Sequence, residues 1–576
     1  MRNRSNFISN DVFCLSPWNQ IHVTPIGVVK PCCIFDGGLK DENNKTIRIT
    51  DDKIENIWNG KAFKDIRLKM INGEKIPECK KCYEEEKVSN SSDRIRSLSL
   101  DSSIIESIIK SLENGSVERL PNILNLKIGN KCNLKCRMCQ PLDSAMVDSE
   151  FTALAKLDPR FRSFDNANAF DYNYDETPIE IAGNWINEPI AKENMLKLLA
   201  NTEHMSLAGG EVAFTQEAID LLKFCVDENI AKNINITASS NLTRMDEELL
   251  NLMAQFKCFR VVASIDGIEN TAEYIRYPSK WNVIKKNLKK LVEAPINIIP
   301  VIAPTIQIYN VLNIVQVFEL VEELDCKKWE YFENPSTHLT VLFDPQHLSI
   351  RHLPRSIKDL AIERLLEFQT RSKLLKKSAH YSEQFKLLVD TLKQDNFEIE
   401  NGYTSRDYLA HFIQYTQDLD KQRNQRFQDY LPELYQLIQK ENITPKYPIE
   451  NPQNYTYFKF RDTGFRLYGE NRIAEALEMF NKAYEMYCQD TDLIFSLAMC
   501  HEKSGNKELA YQYLKELEAL KPEHYFGLIQ LGNYHMTQGN FKEASHYFRL
   551  SIQNAGENNL EYANEKLALC NEKNQE

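Results

Sequence analysis

Gly129-Asn130-Lys131-Cys132-Asn133-Leu134-Lys135-Cys136-Arg137-Met138-Cys139 sets three thiols at Cys-x3-Cys-x2-Cys spacing, directly after the alternating run Ile123-Leu124-Asn125-Leu126-Lys127-Ile128. The run reads as a strand and the thiols as the loop it feeds. Three thiolates in one loop can hold three corners of a cubane 4Fe-4S cluster. Such a cluster ordinarily takes four cysteines, so one iron is left open to an exogenous ligand. A zinc knuckle is the alternative, and it would want a fourth ligand close by.

Further apolar runs at Met205 to Ala208, Ile234 to Ala238, Phe259 to Ile265, Ile298 to Ile302 and Trp329 to Phe332 alternate with helical patterns at Glu217 to Val226, Met245 to Phe256, Trp281 to Val292 and Val311 to Leu324. This βα alternation predicts a parallel sheet whose site lies at the carboxyl ends of its strands. The residues found there are polar. Gly209-Gly210-Glu211 follows the second strand: two residues without a Cβ admit a close backbone approach, and a carboxylate can accept from an ammonium group. Ser239-Ser240-Asn241 ends the third strand and Ser264-Ile265-Asp266-Gly267 the fourth, with Thr305 and Gln307 after the fifth. Helix capping and solvated charge are the alternative roles for these groups.

The cysteine spacing, with apolar Met138 before its last member, resembles the radical S-adenosylmethionine (SAM) superfamily. That resemblance implies a partial (β/α)6, TIM-like barrel over residues 120–355, with a catalytic 4Fe-4S cluster on Cys132, Cys136 and Cys139. The open iron would chelate SAM, whose reductive cleavage gives a 5'-deoxyadenosyl radical that takes hydrogen from the substrate. It further implies that Gly209, Gly210 and Glu211 hold the SAM amino group, that Ser239, Asn241, Ser264 and Asp266 meet its ribose and methionine parts, and that Arg276 pairs with its carboxylate.

Residues 1–95 carry Cys14, Cys32, Cys33, Cys79 and Cys82. Gly27-Val28-Val29-Lys30-Pro31-Cys32, Ile57-Trp58-Asn59, Arg67 and Pro77-Glu78-Cys79-Lys80-Lys81-Cys82 are similar to the opening of the SPASM and twitch auxiliary-cluster domains, here ahead of the barrel. The resemblance implies a small α+β domain with a second 4Fe-4S cluster on Cys14, Cys32, Cys79 and Cys82. Cys33 competes with Cys32, and a four-cysteine zinc site is the alternative.

Between the cysteine loop and Gly209 lies a long connection, with Phe161, Phe164, Phe170, Tyr172 and Tyr174 leading to Trp185. Its aromatic content favours a substrate-facing lid. Residues 356–450 read as amphipathic helices bridging to the C-terminal part. Within 455–576, Gly464 and Ala476, Ala498 and Ala510, and Gly532 and Ala544 recur every 34 residues, with Phe480, Leu514 and Phe548 in phase. That is the tetratricopeptide (TPR) period, an all-α solenoid that can present a concave face to a protein partner. Cys488, Cys500 and Cys570 are expected in its packing.

The 576 residues suffice for about three or four domains. A net charge of -12 leaves no broad footprint for nucleic acid or an anionic membrane, and no stretch is apolar enough to span one. Fourteen cysteines in CxxC-type clusters point to metal in a reducing, cytoplasmic setting. The sequence therefore points to an oxygen-sensitive enzyme that takes electrons from a flavodoxin or ferredoxin and acts on a peptide or protein. A sugar or nucleotide derivative is the alternative substrate, and a non-catalytic metal-bearing scaffold the alternative class. Cys225, Cys258 and Cys326 are thiols in the barrel, with packing the favoured role.

Overall fold

A computed structural model describes residues 11–574 except 89–91, 99–101, 158–183, 325, 327, 332–337, 378, 395–403, 448–452, 487–489 and 556–559. The chain forms two compact units, Met1–Pro448 and Ile449–Glu576. The expected lid falls almost wholly within 158–183, and Cys488 within 487–489, so both lie outside the described residues.

The first unit is built on a seven-stranded sheet in the order β2-β1-β3-β5-β6-β7-β9. Its strands are β1 (Gln20–Val23), β2 (Val29–Lys30), β3 (Ile123–Lys127), β5 (His204–Ala208), β6 (Asn235–Ser240), β7 (Cys258–Ala263) and β9 (Ile298–Ile302). Two short strands lie outside it in a separate pair, β4 (Lys135–Cys136) with β8 (Arg276–Tyr277). The strands from β3 to β9 in this sheet are parallel; helices Gln216–Asp227, Glu247–Met253 and Trp281–Glu293 occupy connections between them, and Ile314–Leu324 follows β9. Alternation dictates the packing. Leu124, Leu126, Met205, Leu207, Ile236, Ala238, Phe259 and Val261 are buried on one face, against helix residues such as Leu222, Leu249, Leu288 and Leu291 in the same apolar core. The fold is the expected α/β class with a parallel, barrel-type sheet.

Three expectations are corrected. Trp329–Phe332 is not the sixth strand: Lys328–Tyr331 is a short helix, and Phe332 is outside the described residues. The buried Lys328 ammonium donates to the carbonyls of Leu291 and Ile298, and the Trp329 indole to that of Pro300, which fixes this turn beside β9 as a plug. The later parallel strand is instead β11 (Thr340–Val341), paired with β10 (Thr305–Ile306) in a separate two-stranded sheet. The N-terminal region does not stand alone either, because β1 pairs in parallel with β3 from Gln20↔Ile123 to Val23↔Leu126. Finally, residues 356–450 do not merely bridge. Helix Ser405–Arg423 opens with a Thr404/Asp407 capping box, buries Tyr408 through Ile413 without a break, and shares the core of the sheet.

Helices Gln453–Gly469, Ile473–Met486, Thr491–Lys503, Lys507–Leu520, Tyr525–Thr537, Phe541–Gln553 and Glu561–Lys573 make the second unit. The period has a steric cause. A Cβ on Gly464 would stand 2.5 Å from the Phe480 ring, and one on Gly532 2.7 Å from Phe548, whereas Ala498 faces the smaller Leu514 in the middle repeat. Cys500 and Cys570 are buried, as expected for small apolar residues. Gly532→Ala is therefore expected to overpack this unit and destabilise it by about 1–3 kcal/mol. Gly469→Ala, where a Cβ meets nothing within 4 Å, should be tolerated; thermal unfolding of the two variants checks the difference.

Against helix Ser405–Arg423, the rings of His347 and His411 lie 3.8 Å apart, 4% and 1% exposed. Burial, with His352 adding to it, pushes His347 down to about 3, and burial with His347 lowers His411. Both folded-state values lie below the unfolded one near 6.5, so acid protonates the unfolded chain first. The stability these neutral rings confer is complete above pH 6.5 and falls as pH drops toward 3, by about 1.4 kcal/mol per pH unit for each. Denaturant titrations at pH 7.5 and 5.5 should show that loss in the first unit.

Candidate active site

The loop after β3 is fixed by backbone before any side chain acts. Ile128 donates to Ala208 O (3.0 Å), Glu211 to Lys131 O (2.8 Å) and Gly210 to Asp143 O (3.0 Å), so the turn after β5 lies directly on the cysteine loop. A Cβ on Gly209 would sit 2.6 Å from Gly129 O, and one on Gly210 2.2 Å from Lys131 O, both with positive φ. These two glycines are therefore required by the cysteine loop itself.

Glu211 is buried, and its carboxylate accepts from Asn241 N (2.6 Å), Ser240 Oγ (2.9 Å) and Ala213 N (3.3 Å). Burial raises its pKa, and those three bonds partly oppose the rise. A carboxylate offers about four acceptor positions, so one is left for a further donor. Asn241 also donates from its amide to Asn133 Oδ1 (2.9 Å), beside Cys132. Ser264 is half-buried and joined to Ser240 by backbone, while Ser239 is exposed on the opposite face of β6 from Ser240.

Asp266 and Arg276 find each other. Arg276 Nε lies 2.7 Å from Asp266 Oδ2, an ion pair in contact by charge more than by an aligned hydrogen bond, and Asp266 Oδ1 accepts from Thr305 N (2.7 Å). Gln307 is buried at the following turn, where its N donates to Asn310 Oδ1. Arg276 pairs with Cys136 through β4 and β8, and its Nη1 donates to Cys136 Sγ at 3.6 Å. Burial works against the guanidinium's charge, and Asp266 and Cys136 outweigh it, so its pKa rises.

Cys136 is buried, while Cys132, Cys139 and Met138 are partly covered. Burial pushes the Cys136 thiol up to about 11 and raises Cys132 and Cys139; the thiols also act on one another, Cys139 feeling Cys136 and Cys132. In the N-terminal region Cys79 is pushed up to about 12 by burial, then by Cys14 and Cys82; Cys32 is raised by burial and by Cys33, Cys14 and Cys79. Cys33 is exposed and, burial apart, takes its influence from Asp93, Lys127 and Lys30. Cys32 is partly covered, whereas Cys33 is exposed. Among the described residues no three His, Cys, Asp or Glu side chains converge tightly enough for a single ion. The donor set, two groups of soft thiols in shielded surroundings, suits iron–sulfur clusters.

Residues 126–320 match the radical SAM superfamily, residues 14–83 an iron-sulfur cluster-binding (SPASM) domain and residues 491–524 a tetratricopeptide repeat. Residues 126–320 are a radical SAM domain. No curated protein matches it. Among solved structures, Streptococcus suis SuiB bound to S-adenosylmethionine is similar over 61% of this chain and 67% of that one, at 14% identity and a TM-score of 0.26. The Sgt2 TPR domain from Aspergillus fumigatus is similar over 21% of this chain and 80% of that one, at 15% identity and a TM-score of 0.20. Among the described residues no helix is long and apolar enough to cross a membrane.

Two features of the first unit escaped the motifs. The first is a row in register across four strands, Asn125, Ser206, Thr237 and Arg260, on the sheet face opposite the helix-covered core. These side chains are half-buried, and among the described residues they make no hydrogen bond or ion pair, so they offer a polar floor. Polar residues at every second position of strands expected to be covered on both faces were the signal. Cys258 begins β7 on this face, whereas Cys225 and Cys326 are buried.

The second is Arg137, 0% exposed, in the loop between Cys136 and Cys139. Its guanidinium carbon stands 3.6 Å over the Tyr274 ring, Nε donates to Tyr274 O (2.9 Å), and Nη2 reaches Asp420 and Gln425. Tyr415 donates to Arg137 O (2.6 Å), and nearby Arg423 forks onto buried Glu150 (3.1 and 2.6 Å). Asp420→Ala would leave a buried cation without its counter-charge, at a cost of about 3–5 kcal/mol. Chemical denaturation of the first unit should register that loss; wild-type stability would show that Asp420 does not hold the loop.

Proposed function

We propose that Cys132, Cys136 and Cys139 hold the SAM-cleaving 4Fe-4S cluster, that Cys14, Cys32, Cys79 and Cys82 hold a second, closed one, and that the enzyme modifies a peptide or protein in the cytoplasm. When bound, the open cluster and SAM supply one-electron cleavage of the sulfonium to a radical, with electrons from a small reductant such as a flavodoxin or ferredoxin. The chain's own residues do the rest. Glu211 has one acceptor position left for the SAM ammonium, and Gly209 and Gly210 fix its distance from the cysteine loop. Asn241 and Ser264 add hydrogen-bonding groups at the same strand ends, while Ser239 is exposed on the other face of β6. The observation that carries the peptide reading is the pairing, in one chain, of a radical SAM domain with a self-contained tetratricopeptide unit. The unpartnered row of Asn125, Ser206, Thr237 and Arg260 suits a substrate rich in polar groups such as peptide amides and carboxylates.

Anaerobic reconstitution should give about eight irons per chain, falling to about four when Cys132, Cys136 and Cys139 are all alanine. Stoichiometric zinc with about four irons would instead assign zinc to the N-terminal thiols. Mass spectrometry should detect 5'-deoxyadenosine from the reduced, SAM-fed protein.

A chain ending at Pro448 should keep both clusters and substrate-independent SAM cleavage, since the second unit packs on its own cores. It should lose affinity for a macromolecular substrate. Undiminished turnover of the true substrate would remove recruitment by the repeats and favour a small molecule.

A further inference from the structure

Arg276 is held in a place where a SAM-carboxylate partner would be poorly free to act. Its strand β8 is hydrogen-bonded to β4 with Arg276 opposite Cys136, so the residue is tied to the cysteine loop by main chain. Its Nε faces Asp266 at 2.7 Å, and Asp266 is itself 0% exposed and anchored by Thr305 N. A second arm of the fork meets sulfur, with Nη1 3.6 Å from Cys136 Sγ. Main chain, carboxylate and thiol therefore set one geometry of the guanidinium.

We infer that Arg276 is a positioning residue that donates an N–H···S bond to a cluster ligand, and that the Arg276–Asp266 pair sets the reduction potential of the SAM-cleaving cluster. The inference rests on the reading of Cys132, Cys136 and Cys139 as its ligands. Reduction places one more negative charge on a cluster whose thiolates already carry charge. A cation and an N–H donor at a ligand sulfur favour the reduced form and raise the potential, and a carboxylate nearby lowers it. Asp266 thus offsets part of Arg276's effect. SAM cleavage needs a strongly reducing electron, so a lone arginine at this sulfur would make the reduced cluster easier to form but weaker as a donor. The pair holds the balance between the two, with the electron supplied by an external one-electron reductant.

The test is an anaerobic redox titration of the reconstituted full-length protein followed by electron paramagnetic resonance, with the cluster signal assigned by its loss in Cys136→Ala. Arg276→Gln should shift the midpoint to more negative potential, Arg276→Lys should recover part of that shift, and Asp266→Asn should move it the other way. Opposite signs from two neighbouring substitutions are not the signature of a damaged fold, and Asp266→Asn remains informative if Arg276→Gln assembles poorly. Unchanged midpoints together with weakened SAM binding in the Arg276 variants would assign the guanidinium to SAM and overturn the inference, as would shifts of the same sign in Arg276→Gln and Asp266→Asn. Absence of any redox-active cluster that depends on Cys136 would instead overturn the underlying reading of the three cysteines.

Discussion

The buried cation of Arg137 is the constraint around which the first unit is arranged. A guanidinium cannot shed its proton at any ordinary pH, so burying it between Cys136 and Cys139 obliges the fold to bring it a counter-charge. That charge comes from Asp420, on a helix 283 residues further along the chain. Tyr274, Tyr309, Phe412 and Phe427 close around the pair, with Tyr274 both stacked under the guanidinium and donating to Asp420. Desolvated cation–π contacts of this kind contribute about 2 kcal/mol. The helix carrying Asp420 therefore buries Asp420 and Arg423 among its apolar residues, while Arg406, Gln417, Lys421 and Gln422 remain exposed.

The same loop is gripped from the other side by backbone alone. Gly209 and Gly210 lie so close to Gly129 O and Lys131 O that no side chain fits, and Glu211 then turns inward to collect Asn241 N and Ser240 Oγ. Three strand ends, those of β3, β5 and β6, are thereby knotted together around Cys132 by hydrogen bonds that do not depend on metal. The loop is pre-shaped, and the conformational entropy of ordering it is met by folding and not by cofactor binding.

Legibility from sequence followed the range of the interactions. The cysteine spacing, Gly209-Gly210-Glu211, the strand ends at Asn241 and Asp266 and the 34-residue period are all local patterns, and each lies where the local pattern indicated. The Trp329 segment misled because a short apolar run with an aromatic reads alike as strand or buried turn, and only the carbonyls waiting for Lys328 and Trp329 decide between them. Arg137–Asp420 and Arg423–Glu150 could not be read at all, since nothing local marks two charges as partners across more than 270 residues. The contact of Arg276 with Asp266 is of the same kind: both residues stood out in the sequence, but only the fold shows the two together.

How the N-terminal thiols stand relative to the cysteine loop follows from one sheet. Cys32 leaves the end of β2, which lies two strands from β3, about 10 Å across at ordinary strand spacing. Because β2 runs antiparallel to β1 and β1 parallel to β3, the chain leaves β2 at the opposite end from that at which it enters the Cys132 loop. The row Asn125, Ser206, Thr237 and Arg260 continues through Asn125 to His22 on β1, and Lys30 stands opposite His22 on β2. An auxiliary domain on a flexible linker would leave that relation to chance. Here the polar row crosses a single hydrogen-bonded sheet, Cys32 follows one of its strands and the Cys132 loop another, so the spacing of those two points of departure is set by strand pairing and not by a linker.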